Sequence, residues 1–164
     1  MIRNSILLSL LIVFGLGLTG CGVYTFNPRG QSDYNAIAIE PFENKTSEYG
    51  LAERITETVV DAFIADGSVK IVPAAGADAL LEGILTSYRR VVEKYDESDQ
   101  VEQYKIVMEF EITLKNPDDE TDIWSERMVQ EGVYDASEEV EEDGQRRASE
   151  RLVDAVLNKT TKSW

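Results

Sequence analysis

The sequence predicts one α+β domain, two helices packed on one face of a mixed β-sheet. Helical periodicity occurs in two stretches, one near the start of the folded region and one at its end. Period-two alternation fills most of the chain between them, and turn residues separate the alternating runs. Strand, helix, four strands, helix is the order of an α+β layer, with no internal repeat and no second domain boundary.

Residues 34–40 (YNAIAIE) place Ile37 and Ile39 on one face and Ala36 and Ala38 on the other, then stop at Pro41. Apolar residues on both faces mark an interior strand. After a turn through Asn44, Lys45 and Thr46, the run 51–65 aligns Leu51, Ile55, Val59, Ala62 and Phe63 on one helical stripe. Thr46 or Ser47 is placed to cap that helix, Glu48 complements its dipole, and Gly67 suits a left-handed stop.

Residues 69–72 form a short strand ended by Pro73, and 74–78 form a bend. Over 79–93, Leu81, Gly83 and Leu85 share one face, with Leu80, Ile84, Tyr88 and Val92 on the other; Gly83 marks a bulge or a close backbone approach. An acidic turn at 95–100 leads into the clearest pattern in the chain. Tyr104, Ile106, Met108, Phe110, Ile112 and Leu114 alternate with polar residues broken only by Val107. That strand has one face in a core and one polar face. Turn chemistry at 116–119 (NPDD) sends 123–134 back as an antiparallel hairpin. Residues 135–143 hold six acidic side chains in nine and read as a solvated loop or frayed helix start. Beyond Gly144, Ala148, Leu152, Val153, Ala155 and Val156 recur at helical spacing toward Trp164.

The N-terminal stretch is of another kind. Arg3 precedes an uncharged apolar run, residues 6–18, that ends in Leu18-Thr19-Gly20-Cys21. This has the form of a secretory signal closing on a lipobox, too short for a membrane span. The expected organisation is a signal peptide at 1–20, a lipidated tether at 21–33 and the α+β domain at 34–164. Cys21 is the lipid-bearing residue, fatty-acylated as well at its new amino terminus. Two or more acyl chains anchor stably where one does not. Gly22 follows the cysteine where an aspartate would favour inner-membrane retention, so the outer membrane is the expected address. Tyr24 and Phe26 either open a short strand or pin the tether to the domain.

Composition removes several functions. The chain has no histidine, hence no Ser-His-Asp or Cys-His arrangement, and its one cysteine permits no internal disulfide. Losing residues 1–20 leaves 15 Lys+Arg against 31 Asp+Glu, a balance of −16. Such acidity disfavours nucleic acid and anionic lipid surfaces. No catalytic residue, cofactor or metal ligand set is expected. Carboxylate pairs such as Asp118 and Asp119 lie in turns, and 96–99 lacks the glycine and distal glutamate of a calcium loop. The candidate contact residues are Arg89, Arg90, Lys94 and Lys105, which meet either an external ligand or Glu93, Glu102 and Glu109 across the hairpin.

The lipobox, AIAIEPFENKT (36–46), GLAERITETVVDAF (50–63), ADALLEGILTSYRR (77–90), VEQYKIVMEFEITLKN (101–116) and IWSE (123–126) together resemble the LptE family of lipopolysaccharide-assembly lipoproteins. The resemblance implies two helices on a four-stranded sheet. It also implies an LptD-like outer-membrane β-barrel as partner, lipopolysaccharide as bound cargo, and a role in passing it to the outer leaflet. The strong acidity and scattered cations depart from that family. The alternative reading is a lipid-anchored adaptor regulating a periplasmic cell-wall enzyme or secretion pore.

Overall fold

The computed structural model describes residues 34–161. The signal stretch, Cys21, the tether and Trp164 lie outside the described residues. In chain order the elements are β1 (Ala36–Ile39), β2 (Glu43–Asn44), α1 (Leu51–Asp66), β3 (Lys70–Ile71), β4 (Ala79–Tyr95), β5 (Val101–Lys115), β6 (Asp122–Asp135) and α2 (Glu141–Thr161), with a 3-10 turn at Ala74–Gly76. The sheet order is β3-β1-β4-β5-β6, with β2 also on β4. β1 runs parallel to β3 and β4, while β4, β5 and β6 form antiparallel hairpins.

The α+β class, the two helices and the mixed sheet are as expected, but the sheet has six strands rather than four main ones. Pro41 accounts for one of the extra strands. β1 pairs with Ala79 to Leu81 and β2 with Ile84 and Leu85, so the two are one line along β4 interrupted where proline has no N–H to donate. At the break Phe42 turns its N–H to Thr56 Oγ1 on α1 (2.9 Å) and lays its ring on Gly83. A Cβ at Gly83 would come within 2.6 Å of Phe42 Cδ2, so this glycine marks a close approach, and pairing there is regular.

One core joins both helices to one sheet face. Ile55, Val59 and Phe63 of α1 and Ala148, Leu152 and Val156 of α2 pack on Ile37, Leu81, Leu85 and the even-numbered positions 106–114 of β5. Fully burying each large side chain contributes about 1.5–3 kcal/mol. The alternation of β5 is realised as read, with Val107 the one buried residue on its polar face.

The start of α1 differs from expectation. Gly50, at φ 70°, occupies the N-cap and no side chain caps it. Asn44 instead organises the loop, accepting from Thr46 N (2.9 Å) and donating to Glu48 O (2.7 Å), so Thr46 is not free to cap. Gly67 stops the helix as read, at φ 65° with its N–H on Phe63 O. α2 begins at Glu141, so Gly144 is a buried residue inside it. The acidic run ahead of it is a bonded structure: Asp135 accepts from Ser137 and Glu138, and Asp143 reaches back to Val140 N as in a capping box.

Candidate functional site

Among the described residues no α-helix packs on the sheet face opposite α1 and α2, and a bulge decides what that face displays. The β4–β5 register slips between Leu85 and Ser87, leaving Thr86 as the extra residue, its hydroxyl on Glu109 O at 3.1 Å. Beyond Thr86 the alternation changes phase. Tyr88 and Val92 therefore share the helix face with Leu81 and Leu85, against the uninterrupted alternation read from the sequence. Arg89, opposite Val107, points to the open face, and Arg90, opposite Ile106, to the helix face.

Each candidate cation meets a carboxylate. Arg89 lies 3.7 Å from Glu109, which Arg127 also pairs across the β5–β6 hairpin. The Arg127 hydrogen bond holds the Glu109 carboxyl below its ordinary range. Lys105 contacts Glu93 at 2.9 Å and Glu131 at 3.5 Å, and its hydrogen bond to Glu93 raises its pKa. Lys115 joins Glu82 at 2.6 Å. Arg89, Lys105, Lys115 and Arg127 thus form a lattice of cross-strand pairs with Glu82, Glu93, Glu109 and Glu131, four cations against four carboxylates on a strongly acidic chain. Lys94 lies apart, bonded to Glu102 at 2.7 Å near the hairpin tip, where Tyr95 is 57% exposed.

Arg90 belongs to a different cluster. Its guanidinium meets Glu141 at 2.7 Å and sits 5.0 Å over the Tyr104 ring, which stacks on Tyr134. Tyr88 donates to the same Glu141 and accepts from Gln145 (3.0 Å), and Arg54 of α1 donates to Gln145 (2.8 Å). Burial, then the bond to Glu141, pushes the Tyr88 phenol above its ordinary value. This network ties both helices to β4. Beside it, a groove of about 530 Å³ separates α1 from α2, lined by Arg54, Glu57, Asp61, Glu142 and Arg146.

Among the described residues no helix is long and apolar enough to cross a membrane, and no group of acidic residues is disposed to hold a metal ion. Sequence reasoning missed Arg127, the second partner of Glu109, and Arg147 and Arg151, whose guanidinia reach the outer edge of β6. The four-residue spacing of Arg147 and Arg151 on one helix was the available signal.

Fold and face together define a helix-backed sheet domain with one uncovered, ion-paired surface. Solved structures share the fold. PelC from Paraburkholderia phytofirmans, a dodecamer, matches with 16% identity over 79% of this chain and 89% of its own, TM-score 0.56. Protein XCC0632 from Xanthomonas campestris matches with 13% identity over 82% and 88%, TM-score 0.56. The hypothetical protein CT253 from Chlamydia trachomatis matches with 8% identity over 79% and 99%, TM-score 0.56. No curated protein matches the chain. The LptE model, described as lipopolysaccharide-assembly, matches residues 34–160, and the chain belongs to that family.

Proposed function

We propose that this protein is a lipid-anchored, non-catalytic component of lipopolysaccharide assembly at the outer membrane, working as partner of an LptD-like β-barrel. The carrying observation is that the family match spans nearly the whole described domain. The geometry is consistent with that role. A polar sheet face whose four cations are already paired with carboxylates suits the polar lumen of a large barrel, because contact leaves none of those cations desolvated alone. Cys21 carries the anchor, and 21–33 is the tether that lets the domain reach its partner.

Arg89, Lys94 and Lys105 are the proposed contacts to the barrel or to lipopolysaccharide from the open face and hairpin. Arg90 is spent mainly inside the domain, so its contribution to contact is indirect. The test is affinity purification of the full-length lipidated protein from detergent-solubilised outer membranes. Recovery of a large β-barrel together with lipopolysaccharide is expected. Recovery of a cell-wall synthase or secretion pore without a lipopolysaccharide-assembly barrel would overturn the reading in favour of a lipid-anchored adaptor. Arg89→Glu is expected to lower lipopolysaccharide retention, and unchanged retention would remove Arg89 from the contact. Cys21→Ala is expected to leave the outer-membrane fraction.

A further inference from the structure

The outer edge of β6 is capped along half its length and bare along the other half. Arg147 and Arg151 of α2 donate to the carbonyls of Val133 (2.6 Å) and Glu131 (2.8 Å). Those two bonds fix which residues face outward. In an antiparallel strand a residue's N–H and C=O point the same way, so the odd-numbered residues of β6 face away from β5. Ser125, Arg127 and Val129 therefore turn three N–H and three C=O groups to the outside, and none has a partner among the described residues. From Ser125 to Val129 the usual edge protections are missing: the stretch has no proline, the register shift of β6 lies before it at Ile123, and its one cation, Arg127, is held over the sheet by Glu109. Val129 adds an exposed apolar side chain, 50% accessible, on the open face.

A second copy is a poor occupant. α2 lies directly over β6, its Gly144 against Gly132 and its Lys159 on Glu126. An antiparallel two-fold pairing would set the β6 strands ~4.8 Å apart with both copies of α2 on the same face. Packed helices need 8–10 Å between axes. Repulsion between two chains of formal charge −15 acts in the same direction. The geometry points to a segment with no helix layer of its own and without net negative charge.

We propose that residues 125–129 of β6 form a strand-addition site for an extended segment of another polypeptide. That segment is basic overall and carries an apolar residue opposite Val129. Main-chain bonds supply the affinity and the apolar position the register. The proposal is independent of the barrel reading, since it concerns any strand that meets this edge.

The experiment measures assigned amide exchange on the full chain in detergent micelles, with the synthetic peptide Lys-Val-Thr-Val-Thr-Val-Thr-Val-Lys as probe. At saturating peptide, exchange at Ser125, Arg127 and Val129 is expected to slow at least tenfold, with no change at Lys70 and Ile71 on the opposite edge. The same peptide with glutamate at both ends is expected to bind at least tenfold more weakly. Ser125→Pro removes one outward N–H that the fold does not use and is expected to weaken binding at least tenfold with an unchanged melting curve. If Ser125→Pro fails to fold, the two peptides on the native protein decide. Exchange unaltered at the three residues, or an acidic peptide that binds equally, would overturn the proposal. A failed barrel purification would leave it standing.

Discussion

Gly132 on β6 and Gly144 on α2 meet backbone to backbone. A Cβ at Gly132 would overlap the Gly144 carbonyl oxygen, and one at Gly144 would come within 2.8 Å of Ile106 Cγ1 and Tyr134 Cδ1. This contact sets how deeply the second helix seats. It also explains why a poor helix former is kept in a helix interior, where glycine costs about 1 kcal/mol relative to alanine. Gly132→Ala is therefore expected to destabilise by about 3 kcal/mol or more, at the upper end of overpacking effects. Gly76→Ala, where nothing lies within 4 Å, is the control and is expected to be near neutral. Urea denaturation followed by circular dichroism measures both.

Tyr88 is the buried pivot of the network joining α2 to β4. Removing its hydroxyl leaves Glu141 paired with Arg90 but takes the acceptor from Gln145. Tyr88→Phe is expected to cost about 1–2 kcal/mol at neutral pH. The alkaline behaviour provides a second readout. The folded-state phenol titrates above its unfolded value, so its contribution is complete below about pH 10 and is lost as pH rises beyond it. The wild type should lose stability more steeply than Tyr88→Phe between about pH 10 and 11 in urea melts.

What the sequence made legible depended on contrast between faces. The apolar side chains of β5 from Tyr104 to Leu114 had polar neighbours but for Val107, and α1 had a clean apolar stripe, so both were read correctly. Around Thr86 that contrast vanishes. Arg89 and Arg90 are both cationic and Val91 and Val92 both apolar, so either phase fits the letters, and the bulge that splits the two arginines between faces is silent. The run before Gly144 read as either a solvated loop or a frayed helix start for a related reason: six acids carry no periodicity, whereas here they are bonded into the turn and first helical residues and the glycine is the contact. β2, the polar pair Glu43 and Asn44, has no periodicity to detect. Of the candidate site, the carboxylate partners of Arg89, Lys94 and Lys105 were foreseeable from cross-strand geometry. The partner of Arg90, Glu141 on α2, depended on tertiary packing.

Glu139 should dominate the acid response of the β6–α2 turn. It accepts from Asp135 N (2.8 Å) and from both terminal nitrogens of Arg147, and the Arg147 bond brings its pKa down to about 2. A depressed carboxyl contributes stability that is present above its unfolded value, about 4.3, and is lost as pH falls through the folded value. Glu139→Gln is expected to be less stable at pH 7 and to show a flatter decline between about pH 4.5 and 2. Arg147→Met is expected to reproduce both effects and also to uncap Val133 O. Acid titrations at fixed urea concentration distinguish these variants from wild type.

Thr86 gives the sharpest test of the phase change, because deleting a bulge residue and deleting a paired residue have opposite consequences. With Thr86 removed, Leu85 is followed directly by Ser87, and the core, open, core order of Leu85, Ser87 and Tyr88 is what regular alternation requires. Arg89 stays over Glu109 and Tyr88 stays under Glu141. The expected cost is about 1 kcal/mol, mainly the lost hydroxyl bond to Glu109 O. Thr113 lies in β5 where pairing is regular on both sides, Glu82 on β4 and Ser125 on β6. Deleting it forces one side of that strand to turn its buried residues outward, either Leu114 or the run from Ile106 to Ile112. Thermal melts should show the Thr86 deletion folding cooperatively within several degrees of wild type and the Thr113 deletion failing to fold. Equal damage from the two would mean that Thr86 is not the extra residue and that the two arginines do not part company there.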